Sequence, residues 1–139
     1  IDKYSYENNL DKYLVYALIK KESKYDPLAV SKKGAMGLMQ IMPDTFDWIA
    51  NKLGEDNLTY DDMFKPEHNI KFGTYMYSYL MEENNSYEWS VAAYHAGRGA
   101  VNKWRQDNTL LDSLPPKTLN YVKKVMKSYK MYNSILNND

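Results

Sequence analysis

Leu10, Leu14, Ala17 and Leu18 recur at helical spacing, and Val15 and Ile19 widen the stripe. They predict a first helix over residues 10–22. Pro27, Ser31 and Gly34 punctuate the next stretch and predict a loop over 23–35, with a β-hairpin near 28–38 only weakly signalled. Pro43 then opens a helix with Phe46, Ile49, Ala50 and Leu53 inward, and Gly54 falls at its C-cap. Residues 55–65 are acidic and read as irregular, after which Pro66 opens a long helix through Ile70, Tyr77, Leu80 and Met81. Gly73 inside that helix costs about 1 kcal/mol against Ala, so a close helix–helix approach is expected there.

Asn84-Asn85-Ser86 breaks the long helix, and Ser86 is the predicted N-cap of the next, with Trp89, Ala92, Ala93 and Ala96 inward. Gly97 and Gly99 are expected to interrupt it before a short helix around Val101 and Trp104. Residues 106–117 read as a polar loop, and Thr118 as the cap of a last helix carrying Tyr121, Val122, Val125, Met126 and Tyr129. Asn137-Asn138-Asp139 should fray. The expectation is a mainly α single domain over residues 1–139. The chain opens on Ile1 and shows no signal peptide, as a mature fragment or excised domain would.

Composition narrows the chemistry. With no cysteine there is no disulfide, thiolate zinc site or thiol nucleophile. Eighteen basic residues balance eighteen acidic ones, and only Arg98 and Arg105 are arginines, so a nucleic-acid groove is not indicated. His68 and His95 form no His-Glu-x-x-His pair, and there is no calcium loop, so no metal is expected. There is no Gly-x-Ser-x-Gly elbow and no phosphate-binding glycine loop. No apolar run approaches the eighteen or so residues of a membrane span. Carboxyl chemistry remains as the main catalytic option.

Glu22 is the leading candidate. It closes an apolar helix, where the dipole's negative end and nearby apolar groups disfavour ionisation and raise a carboxyl pKa, as a general acid requires. A solvated surface Glu near a helix end is the competing reading of the same position.

The stretch from Glu22-Ser23 to Gly37-Leu38-Met39-Gln40-Ile41-Met42-Pro43 closely resembles the signature of the soluble lytic transglycosylases, within the goose-type lysozyme group. Ala92-Ala93-Tyr94-His95-Ala96-Gly97 resembles the family's second block, Asn69-Ile70-Lys71-Phe72-Gly73 its connecting helix, and Thr118-Leu119-Asn120-Tyr121-Val122 its last block. The resemblance implies a lysozyme-like α domain whose cleft holds a peptidoglycan glycan strand. It implies a monomer acting outside the cytoplasm, with no cofactor and no metal. Glu22 would be the single catalytic residue, cleaving the β-1,4 bond between N-acetylmuramic acid and N-acetylglucosamine without water.

The same resemblance marks Ser23, Ser31, Met39, Gln40, Tyr94, His95 and Tyr121 as substrate-binding candidates. Ser23 could equally cap the helix end, Gln40 could make a structural amide bond, and Met39 could be an ordinary core residue. Gly37 and Gly97 are expected to allow close backbone approach. Two positions depart from the pattern: His95 stands where the family usually has Asn, and Lys117 where it usually has Glu. A hydrolytic goose-type muramidase, with Asp26 or Asp61 assisting a water, and a glycan-binding module without turnover are the alternative readings.

Overall fold

The computed structural model describes residues 1–137, and these are almost wholly helical and loop. They form two compact units, one over Ile1–Met76 and one from Tyr77 onward. Helix α4 (Pro66–Asn84) is continuous and supplies residues to both.

The first unit holds α1 (Asp2–Glu7), α2 (Lys12–Ser23), α3 (Pro43–Leu53) and the opening turns of α4. The predicted first helix starts two residues late because Asp11 caps it, its carboxylate accepting the Tyr13 N–H at 3.0 Å. Helix α3 begins at Pro43 and ends on Gly54 at φ 68°, the two boundaries expected from those residues. Helix α1 was not expected; it has six residues and no side-chain cap. The stretch expected to be irregular over 55–65 contains a 3-10 turn, Tyr60–Phe64, closed by a reciprocal Thr59–Asp62 capping box. The buried residues of this unit include Leu14, Val15, Leu18 and Ile19 of α2, at most 1% exposed, together with Ile49 and Met63. Phe46 of α3 stacks on Phe72 of α4 at 5.4 Å.

The second unit holds the last turns of α4, then α5 (Tyr87–Ala96), α6 (Arg98–Gln106), a 3-10 turn at Leu111–Ser113 and α7 (Pro116–Leu136). Ser86 caps α5 as predicted, accepting the Trp89 N–H at 3.2 Å. Helix α5 packs against α6 and α7. Arg98 opens α6 and grips Glu83 of α4 through two guanidinium nitrogens, at 2.6 and 3.1 Å, while lying over the Tyr79 ring. Arg105, in the last turn of α6, donates to the Asn84 carbonyl at 2.6 Å.

Two boundaries differ from expectation. Gly97, at φ 96°, does separate α5 from α6, but Gly99 sits inside α6 with open space around it and interrupts nothing. Thr118 is a buried residue of α7 rather than its cap, because Pro116 begins the helix two residues earlier. The loop over 106–117 also carries the Leu111–Ser113 turn. Of the tail expected to fray, Asn137 still donates its N–H to the Asn133 carbonyl at 3.1 Å, and Asn138 and Asp139 lie outside the described residues.

Candidate active site

Glu22 is the penultimate residue of α2 and is half-buried. The helix end beneath it is braced. Ser23 is buried and donates its hydroxyl back to the Ile19 carbonyl at 3.1 Å, a structural bond within the last turn of the helix. Lys24 and Tyr25 both adopt left-handed backbone, at φ 52° and 65°, and turn the chain sharply away from the helix. The Tyr25 hydroxyl reaches back to the Tyr16 carbonyl at 3.0 Å, and the Asp26 carboxylate accepts the Leu28 N–H at 2.9 Å. Asp26 therefore acts as a turn former. Asp61, the other carboxyl considered as a helper of water, is exposed on the 3-10 turn.

The loop between α2 and α3 has no extended strands, only single antiparallel bridges, Val30 to Met36 and Met36 to Ile41. The weakly signalled hairpin is thus reduced to isolated pairs. Its regularity comes from side chains. The Ser31 hydroxyl accepts the Ala35 N–H at 3.0 Å, so this exposed residue shapes the tip. Gln40, itself left-handed at φ 54°, donates its amide to the Ala29 and Gly37 carbonyls at 3.1 and 3.0 Å. Its NH₂ is spent on the loop, which leaves the amide carbonyl as the group it can offer a sugar.

Two residues that are not among the site candidates hold this loop in place. Asn69, in the first turn of α4 and fully buried, accepts the Met39 N–H at 2.8 Å and donates to the Met36 and Met63 carbonyls, both at 2.9 Å. Tyr60 directs its hydroxyl at the Gly34 and Ile41 carbonyls, at 2.5 and 2.7 Å. Burial raises the Tyr60 phenol above its usual value, so it stays protonated and donating. The signal available in the sequence was a polar residue on an otherwise apolar helix face, which alone does not name its partners.

Gly37 is required on two counts. Its φ is +80°, and a Cβ there would stand 2.3 Å from both Asn69 Nδ2 and the Met63 carbonyl oxygen. Gly73 answers a different contact from the one expected: the group against it is the Met39 side chain, whose Sδ would lie 2.3 Å from an added Cβ, and not a second helix. Met39 is 0% exposed and so belongs to the core rather than to a sugar-facing surface.

The remaining candidates lie in the second unit. Tyr94 and His95 sit near the C-terminal end of α5, and Tyr121 on the first turns of α7. The packing of α5 on α7 stacks the His95 ring on Tyr121, 4.5 Å apart and 23° from parallel. His95 is exposed and Tyr121 only 4% exposed, so the imidazole covers the phenol ring. Tyr94 is half-buried and tilts against Tyr77 at 6.4 Å. Lys117, the second departure, is exposed at the start of α7. Among the described residues no three His, Cys, Asp or Glu side chains gather as metal ligands, and no helix is long and apolar enough to cross a membrane.

The family model described as the transglycosylase SLT domain matches residues 1–113, which spans the blocks around Glu22, Asn69 and Tyr94 and stops short of Thr118–Val122. A putative soluble lytic murein transglycosylase of Haemophilus influenzae is 38% identical over 94% of this chain and 23% of its own. Among solved structures, an inactive Glu-to-Gln mutant of the lytic transglycosylase Slt of Pseudomonas aeruginosa superposes with a TM-score of 0.89 at 26% identity, over 97% of this chain and 23% of that one. The 70 kDa soluble lytic transglycosylase of Escherichia coli gives 0.90 at 28% identity, over 96% and 23%. The chain thus spans 23% of the length of each of these proteins, and the mainly α, lysozyme-like fold it adopts is theirs over that stretch. On the family-model match and this identity, the chain belongs to the SLT transglycosylase domain family.

Proposed function

We propose that this domain is a peptidoglycan lytic transglycosylase in which Glu22 serves first as acid and then as base. The observation that carries the reading is Glu22 itself: a half-buried carboxyl at the end of a core helix, on a braced helix terminus, inside a chain of the SLT family. Protonated Glu22 donates to the glycosidic oxygen, and the N-acetylglucosamine 4-hydroxyl departs. The substrate's 2-acetamido oxygen stabilises the anomeric carbon. The Glu22 carboxylate then takes the proton of the muramic acid C6 hydroxyl, whose oxygen attacks C1 and closes a 1,6-anhydro ring. Glu22 returns to its starting protonation state and no water is consumed, so neither a second carboxylate nor a cofactor is needed.

Tyr94, His95 and the Gln40 carbonyl are the proposed sugar contacts, with Ser31 at a loop tip and Tyr121 backing the His95 ring. Met39 contributes through the loop backbone it anchors. The substrate dictates an extracytoplasmic site of action, and we take the working species to be a monomeric domain.

Glu22→Gln keeps the shape of the side chain and removes the titrating group. It should lower release of fragments from purified sacculi by about 10²–10⁴-fold while leaving the circular dichroism spectrum and melting temperature intact. Undiminished turnover would sink the catalytic assignment. Mass spectrometry of the wild-type products decides the branch: muramic acid ends lighter by one water support the anhydro product, and ordinary reducing ends identify a hydrolase that uses the same acid.

A further inference from the structure

The charge balance of zero conceals a sharp asymmetry. Between Asp112 and Asp139 there is no acidic residue, and that stretch holds five lysines, 117, 123, 124, 127 and 130. All five lie on α7 and all are exposed. The ion pairs Asp2–Lys12, Asp62–Lys65, Glu55–Lys71 and Glu83–Arg98 involve none of them. The inner face of α7 carries Thr118, Tyr121, Val122 and Val125, all buried, and faces α5. At 100° per residue the lysines fall on the opposite arc, with Lys123, Lys127 and Lys130 at its centre and Lys117 and Lys124 along one flank. That flank continues with Met131 and Ile135, which are 41% and 63% exposed. The polar face of α7 is therefore five ammonium groups running over about 20 Å of helix, ending in two solvent-exposed apolar side chains.

We propose that this face of α7 docks on an anionic phospholipid surface. Three features favour a lipid surface over a soluble polyanion. The cations are all Lys, compact charges suited to a diffuse layer of headgroups, with no Arg fork for one phosphate. Their aliphatic stems can lie along the acyl boundary while the ammonium groups stay among the headgroups. Met131 and Ile135 give the same arc an apolar end, which a bilayer can take up and a dissolved polyanion cannot. This docking is independent of the Glu22 chemistry and would hold the domain at a membrane face.

The test is co-sedimentation of the 139-residue chain with vesicles of phosphatidylcholine alone and of phosphatidylcholine with about 30–40% phosphatidylglycerol, an anionic surface of the kind that attracts polybasic segments. Binding should favour the anionic vesicles and be lost at about 0.5 M salt, where screening is strong. Each lysine near such a surface contributes about fivefold, so Lys123→Glu/Lys127→Glu/Lys130→Glu should weaken binding by about 100-fold or more. Met131→Ser/Ile135→Ser should weaken it several-fold with its salt dependence unchanged. All substituted positions are exposed, and circular dichroism checks that the variants fold. Equal binding to neutral vesicles, or a triple variant that binds like the parent, overturns the proposal. So does tight binding of soluble polyphosphate with no vesicle binding, which would identify a polyanion site instead.

Discussion

A single carboxamide serves three backbone groups from two stretches of chain. Asn69 takes the Met39 N–H and gives to the Met36 and Met63 carbonyls in a fully buried position. Removing it strands the Met39 N–H and the Met63 carbonyl away from water, each at a cost of about 1–3 kcal/mol, while the Met36 carbonyl keeps the Ile41 N–H. Asn69→Ala should therefore destabilise the chain by about 2 kcal/mol or more, read by urea denaturation. Asn69→Asp, which keeps one acceptor and loses both donors, should be no better. Gly73 makes the complementary case. An Ala there gains about 1 kcal/mol of helix propensity but drives its Cβ to 2.3 Å from Met39 Sδ and 2.7 Å from Met39 Cβ. Overpacking should win, so Gly73→Ala is expected to cost about 1–2 kcal/mol net, and the same substitution beside Met39→Ala should be far less costly.

At the scale of elements, boundaries governed by a local residue were legible in the sequence. Pro43, Gly54 and Ser86 act within one turn of themselves, and each stands where its chemistry predicts. Glu22 at the end of α2 was legible for the same reason. Features that depend on partners far along the chain were not legible. Nothing near Asn69 announces residues 36, 39 and 63, and nothing near Gly73 announces Met39 rather than a helix. Gly99 misleads because a solvent-facing helix position tolerates glycine without breaking. Helix α1 is too short to set up a periodic pattern.

The Glu83–Arg98 pair joins α4 to α6. Its hydrogen bond from Arg98 holds the Glu83 carboxyl below the usual carboxylate value. A depressed folded-state pKa means stability present above the unfolded pKa and lost as pH falls through the folded one. Both groups are part-exposed, so screening limits the effect to about 0.5–1 kcal/mol. Melting curves from about pH 7 to about pH 3 should show Glu83→Gln less stable than the parent at neutral pH, with the gap closing toward the acid end.

At the scale of the whole molecule, equal numbers of opposite charges are segregated along the chain, the lysines of α7 against an acidic excess in residues 1–112. A pI of about 6.9 puts the net charge near zero at neutral pH. Segregated charge at zero net charge favours attraction between copies. Solubility at low ionic strength should pass through a minimum near the pI and rise when salt is added, as measured by the turbidity of concentrated solutions.

By meeting the carbonyls of both Gly34 and Ile41, the Tyr60 hydroxyl measures the stretch between them like a gauge block. The six residues 35–40 must span that interval and no other, and Gly37, Met39 and Gln40 all lie within it. A single inserted or deleted residue within that interval would therefore pull Gly37, Met39 and Gln40 off the Asn69 and Ala29 partners that hold them.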